Sequence, residues 1–227
     1  MAARDGEFEK AIEFFKKAIE IDPRFAPAYN SLGLIHQTWE QGSIKESLRY
    51  FKLATDVDSN SVESWNNLAR AYYSQGSFVL SEKTFGHSLK LRPEQPDIEI
   101  AIGWVYLLGE SRAEEAIDHF ERGLKTVDNN MAHYGLGLAY VLQGEKFKVL
   151  EQITALRQRS LEPEAARLEA MVRSDVKIAS QPGTPLVAGK DIGESLFDKE
   201  LQAFGKSKFN PDGSPKGIQV RVRGPLW

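Results

Sequence analysis

Apolar residues along the first 160 positions recur at spacings of three and four, the period of one face of a helix. They come in paired runs, each pair broken by a short polar turn. In the pair over residues 62–93, Trp65 precedes Leu68, Ala69 and Tyr72. Gly76 then interrupts the pattern, which resumes with Ser81, Phe85 and Ser88 and closes on Pro93. A glycine between two helical runs allows a left-handed residue at little cost, and a proline cannot continue a helix interior. The spacing therefore predicts two antiparallel helices joined by a tight turn.

The same order recurs. Tyr29, Leu32, Gly33, His36, Gly42, Ser47, Phe51 and Ala54 form one unit, with two extra residues in its turn near Trp39. Ile102, Gly103, Tyr106, Ala116, Phe120 and Gly123 form another, with one extra residue. His133, Leu136, Gly137, Tyr140 and Gly144, followed by Val149, Ile153 and Leu156, form a fourth. At the N-terminus Gly6, Ala11, Phe15, Ala18 and Pro23 match only the second half. This order of aromatic, Leu-small, Tyr, small, aromatic and Pro resembles the tetratricopeptide repeat (TPR) over roughly residues 4 to 160. The resemblance implies an all-α, right-handed solenoid of antiparallel helix pairs. One such pair cannot bury its apolar face alone, so neighbours must stack. Ten helices are expected between about residues 5 and 174.

The expected organisation is a partial repeat, second helix only, over 1–25, then four TPR units over 26–160. A capping helix over 161–175 and a tail over 176–227 follow. Without a first helix, Ala11, Phe15 and Ala18 are expected to lack a partner, as though the natural protein extended upstream. In the cap, Leu161, Ala165, Leu168 and Val172 make one apolar stripe, with Glu164, Arg167, Glu169 and Arg173 facing away. The Gly- and Pro-containing tail holds eight Lys/Arg against five Asp/Glu. Asp191 and Glu194 read as a capping box for a short helix with Leu196, Phe197, Leu201 and Phe204. Ile218, Val220 and Val222 alternate with polar residues as a strand does, before the closing Leu226 and Trp227.

Composition narrows the chemistry. A formal net charge of -3 gives no electrostatic footprint for nucleic acid. The absence of cysteine removes disulfides, thiolate zinc sites and cysteine nucleophiles together. Residues 104–108 and 136–142, the longest apolar runs, are far too short to span a bilayer, so no direct membrane insertion is expected. The first twenty residues hold no apolar signal core, leaving cytoplasmic and periplasmic settings both open. His36, His87, His119 and His133 have no metal-ligand spacing and read as helix-packing residues. Gly135 and Gly137 begin a dinucleotide-like motif, but Tyr140 stands in the third glycine's place. Tail Arg221, Arg223, Lys206, Lys208 and Lys216 suit a wetted strand face or a phosphate. No catalytic residue, cofactor or metal is expected.

In TPR proteins the first helices of successive repeats line a groove that receives a peptide or a helix, and the resemblance carries that role here. The expected lining is Asn30 and Leu34, then Asn66, Asn67, Arg70 and Tyr73. Next come Ile100, Trp104, Leu107 and Leu108, and last Tyr134, Leu138 and Val141. This groove is polar in its first half and apolar in its second. Residues 98–108 are apolar on every side, so their groove face is expected to lie open as an interaction patch. The TPR variety that clamps the carboxylate tail of heat-shock chaperones needs Lys and Asn on three first helices. Only Asn67 matches, against Asn30, Leu34, Asp97 and Ala101, so that role is set aside.

The expectation is a non-catalytic adaptor holding a partner's peptide or helix within a larger assembly. The alternatives are a subunit of an anchored secretion or pilus-type complex, or a non-catalytic region of an enzyme, with the groove filled by the chain's own tail. Metal analysis after chelator washing is expected to find less than one zinc per chain, and equilibrium dialysis to find no bound nucleotide.

Overall fold

Helix periodicity with turn glycines dictates helices alone, and the structure agrees. The computed structural model describes residues 2–39, 41–110 and 112–173, as ten α-helices and one π-helical turn, with no strand among the described residues. They divide into two compact units, one ending at Ser59 and the other beginning at Asn60. The short helix and strand expected in the tail lie outside the described residues.

The first unit contains α1 (Ala2–Ile21), α2 (Ala26–Thr38) and α3 (Ile44–Val57). Ala11 and Phe15 are four residues apart on α1, and both are buried in a cluster with Ala28, Leu32 and Ile35 of α2. This corrects the expectation that the α1 stripe lacks a partner: α2 covers it. Gly6 lies within α1, which starts at Ala2 and runs through it. The two extra residues after α2 let Trp39 leave the helix in an extended conformation. Its ring then stacks on Phe8 of α1, with centroids 5.9 Å apart. Gly42 closes this turn by donating its N–H to the Trp39 carbonyl at 2.8 Å. A Cβ there would lie 2.2 Å from the His36 carbonyl oxygen, so only glycine fits.

The second unit opens with α4 (Val62–Ser74) and α5 (Phe78–Leu91). The next pair is α6 (Pro96–Val105), continued by the π-helical turn Tyr106–Glu110, and α7 (Ala113–Leu124). Then come α8 (Asn130–Gln143), α9 (Lys146–Gln158) and α10 (Glu162–Arg173). Side-chain caps open two first helices. Ser61 Oγ accepts from the Ser64 N–H, and Asn129 Oδ1 accepts from the N–H groups of Met131 and Ala132. The residue added to the third unit's turn is absorbed by the π-helical turn, which closes with the Arg112 N–H donating to the Tyr106 carbonyl at 3.1 Å.

Phe120 is the wedge of this unit. It is fully buried on α7, and Cβ atoms built on Gly103 of α6 and Gly135 of α8 would stand 2.7 and 2.4 Å from its ring. Two bare backbones thus meet one aromatic face. Tyrosines tie neighbouring pairs: Tyr106 donates to Glu82 of α5 at 2.8 Å, and Tyr140 of α8 donates to Glu121 of α7 at 2.9 Å. At the end, α10 buries Ala165 and Leu168 against α9 and α8, while Arg167 and Arg173 stay exposed.

Ala116 is fully buried on α7. Ala116→Leu overpacks that crossing and is expected to cost about 1–3 kcal/mol. Thermal unfolding followed by circular dichroism should show a fall of about 3–10 °C. An unchanged midpoint contradicts the repeat register.

Candidate protein-interaction surface

The expected lining divides between the units. Asn30 and Leu34 of α2 belong to the first and are buried there. The second unit holds the rest on α4, α6 with its π-helical turn, and α8. On α4, Asn67 and Tyr73 are buried, whereas Asn66 and Arg70 are half-buried. Asn66 Nδ2 donates to Gln95 Oε1 at 2.9 Å, and Gln95 in turn donates to the Ser88 carbonyl at 3.1 Å. Ile100, Trp104, Leu107, Tyr134 and Leu138 are all buried. Leu108 and Val141 are half-exposed.

The apolar face of residues 98–108 was expected to lie open, and the structure corrects this. Trp104 is 0% exposed, its indole edge-on to Phe120 at 5.5 Å and near Tyr134 at 6.3 Å. Ile100 lies against Gly123 of α7. The reason is the small residues: Gly103, Gly123 and Gly135 let α7 and α8 come close enough to take these side chains in. Sequence spacing shows which face a residue occupies but not how deeply the next helix sinks.

Asn66 Oδ1, Asn67 Nδ2 and Trp104 Nε1 are buried without a hydrogen-bond partner among the described residues. Burial raises the Tyr134 pKa, the charge of Arg167 on α10 and its hydrogen bond to the Tyr134 hydroxyl act against that, and Glu164 adds to it.

Sequence reasoning missed the outer apolar residues. Phe147 is 85% and Leu150 48% exposed on α9, and Val79 and Leu80 are exposed on α5. The signal was present, for Phe147 and Leu150 fall off the buried Val149, Ile153 and Leu156 stripe.

Histidines serve packing. His36 stacks on Tyr50 at 5.5 Å, and burial holds its pKa below the usual imidazole range. His87 lies against Trp65 at 4.0 Å. His133 lies 2.8 Å from Gln152 Oε1 and 3.0 Å from Asp128 Oδ1. His119 Nδ1 is 2.7 Å from Glu99 Oε2, which also accepts from Arg122 Nε at 3.0 Å. Among the described residues no three His, Asp or Glu side chains gather as a metal site, and no helix is long and apolar enough to cross a membrane.

Comparison with known proteins bears directly on this arrangement. The family described as TPR repeat matches residues 4–38, and that described as tetratricopeptide repeat matches residues 32–96. Residues 4–96 of the chain are tetratricopeptide repeats. The later helix pairs, beyond the matched residues, continue the same helix pairing. The crystal structure of MamA is similar, with a TM-score of 0.60 and 19% identity over 76% of this chain and 94% of that one. YrrB, described as a TPR protein with an unusual peptide-binding site, gives a TM-score of 0.58 and 18% identity over 72% and 86%. A MamA fragment from Desulfovibrio magneticus RS-1 gives a TM-score of 0.52 and 21% identity over 66% and 93%. At these identities the likeness is one of fold. A comparison with curated protein sequences gives no match.

Glu99 supplies a pH test of the TPR packing. Burial pushes its pKa up, but the bonds from His119 and Arg122 outweigh this and hold it below the usual glutamate value. A carboxylate with a depressed folded-state pKa stabilises the fold above its unfolded pKa of about 4.5. That contribution is lost as pH falls through the folded value. Glu99→Gln is therefore expected to lower the urea midpoint at pH 7, and the gap from the parent should narrow below pH 4.5. A gap that widens on acidification contradicts the sign.

Proposed function

We propose that this TPR protein is a non-catalytic adaptor whose second unit holds an apolar segment of a partner protein along α4, α6 and α8. The observation that carries the reading is the half-exposed pair Leu108 and Val141, on the π-helical turn and α8, in the same unit as half-buried Asn66 and Arg70 of α4. Covering an apolar side chain with a partner contributes up to about 1.5–3 kcal/mol. YrrB, a neighbour in fold, is described as having a peptide-binding site, which supports the same use of this scaffold. Asn66 and Arg70 of α4 supply polar contacts at the edge. Asn30 and Leu34 belong to the equivalent face of the first unit.

A second reading places the partner on the outer face of α9, and the 85% exposure of Phe147 favours it. An aromatic so exposed is a candidate anchor for a pocket on another protein.

One experiment separates the two. A display library of 16-residue peptides is selected against the full chain, and the enriched peptides are titrated against two variants. Leu108→Asp with Val141→Asp is expected to weaken them at least tenfold, and Phe147→Asp to leave them unchanged. The reverse result moves the binding face to α9.

A further inference from the structure

Glycine inside a helix costs backbone entropy that alanine does not, so its place there needs a reason. Among the described residues the helical glycines other than Gly86 have one. A Cβ on Gly33, Gly103, Gly109, Gly123, Gly135 or Gly137 would stand 2.3–2.7 Å from a side chain that packs onto the bare backbone. Gly86, in the middle of α5, is different. A Cβ there would meet nothing within 4 Å among the described residues, and its φ is not positive. Neither a turn nor the packing of these helices asks for glycine at this position.

The surroundings of Gly86 on the outer face of α5 supply the reason. Val79, Lys83, Gly86 and Lys90 follow one another at offsets of four, three and four, a single row along the helix, with Leu80 and His87 beside it. Val79 is 53% and Leu80 47% exposed, and Lys83, His87 and Lys90 are exposed too. The one carboxylate of α5, Glu82, lies at the edge of the row and accepts from the Tyr106 hydroxyl at 2.8 Å. The face is thus apolar at its N-terminal end, bare at its centre and basic along its length. Its complement is a helix with apolar side chains set among carboxylates, one of them large enough to rest on the Gly86 backbone. The fold uses the same mode internally, with Phe51 on Gly33 and Phe120 on Gly103. A second copy of the chain matches less well. The exposed row of α7, Glu114, Asp118 and Glu121, is acidic but includes no large apolar side chain. On α9 the exposed Phe147 and Leu150 stand beside Lys146 and Lys148, which repel Lys83 and Lys90.

We propose that the outer face of α5 docks an acidic amphipathic helix of a partner protein. A large apolar side chain of that helix rests on the backbone at Gly86, its other apolar residues cover Val79 and Leu80, and its carboxylates meet Lys83 and Lys90. No residue of this surface belongs to α4, α6 or α8, so the proposal does not depend on the adaptor reading. Where both hold, the chain joins two polypeptides.

The test selects a display library of helix-forming 20-residue peptides, apolar on one face and randomised elsewhere, against the full chain. Enriched peptides are expected to be rich in Asp and Glu. Their affinity should fall at least tenfold with Gly86→Ala, and at least tenfold with Lys83→Glu and Lys90→Glu together. Gly86→Ala places a methyl group in open space, so the unfolding midpoint of that variant is expected to hold or rise. A merely structural glycine cannot give weaker binding with an undiminished fold. Leu108→Asp with Val141→Asp should leave these peptides unaffected. Enriched peptides whose affinity ignores Gly86→Ala or the lysine pair overturn the proposal, and so does a selection that enriches no acidic peptide. Peptides that depend on Leu108 and Val141 instead overturn it and leave the adaptor reading standing. Sedimentation in which the parent self-associates and Gly86→Ala does not assigns the face to a second copy and also overturns it.

Discussion

The second unit depends on one steric constraint, the seating of Phe120 against bare backbone. Its ring is closed between Gly103 on α6 and Gly135 on α8, at distances where no Cβ fits. That contact fixes how near three consecutive helices approach. Once they are that near, Trp104 and Ile100 have nowhere to go but inward. The same device appears in the first unit, where the Phe51 ring lies where a Cβ on Gly33 would be. Dense packing of this kind makes the crossing bistable or rigid rather than soft, since interiors tolerate little added volume.

The tight approach sets up the polar chemistry. Side chains that a looser solenoid would leave in water are carried inside with their polar atoms. Some find partners: Gln95 takes the Asn66 amide and reaches Ser88, and Ser81 Oγ donates to the Ala69 carbonyl at 2.8 Å. Tyr106 and Tyr140 find carboxylates on the preceding second helices. Asn67 Nδ2 and Trp104 Nε1 do not find partners among the described residues.

Insertions into the repeat are handled by local geometry. One extra residue becomes the π-helical turn Tyr106–Glu110, which keeps Leu107 buried while the chain turns toward α7. Two extra residues in the first unit push Trp39 out of α2 and onto Phe8. The repeat period is preserved on either side of each insertion, because each pair is anchored by its own small-aromatic crossing rather than by its turn.

By itself the sequence determined the number, type and pairing of the helices. Its apolar spacing, its turn residues Gly76 and Gly144 at positive φ, and its prolines after α1 and α5 all act within a few residues. Tertiary structure decided the depth of burial. Whether Trp104 ends on an open face or inside depends on a distance between helices thirty residues apart in the chain, and no local pattern contains that distance. The cover over α1 was missed for the same reason, since Phe15 is buried against Ala28, Leu32 and Ile35 of α2. Exposure is a property of neighbours. Spacing along one helix names the face, and only the packed neighbours decide whether that face meets water, another helix or a ligand.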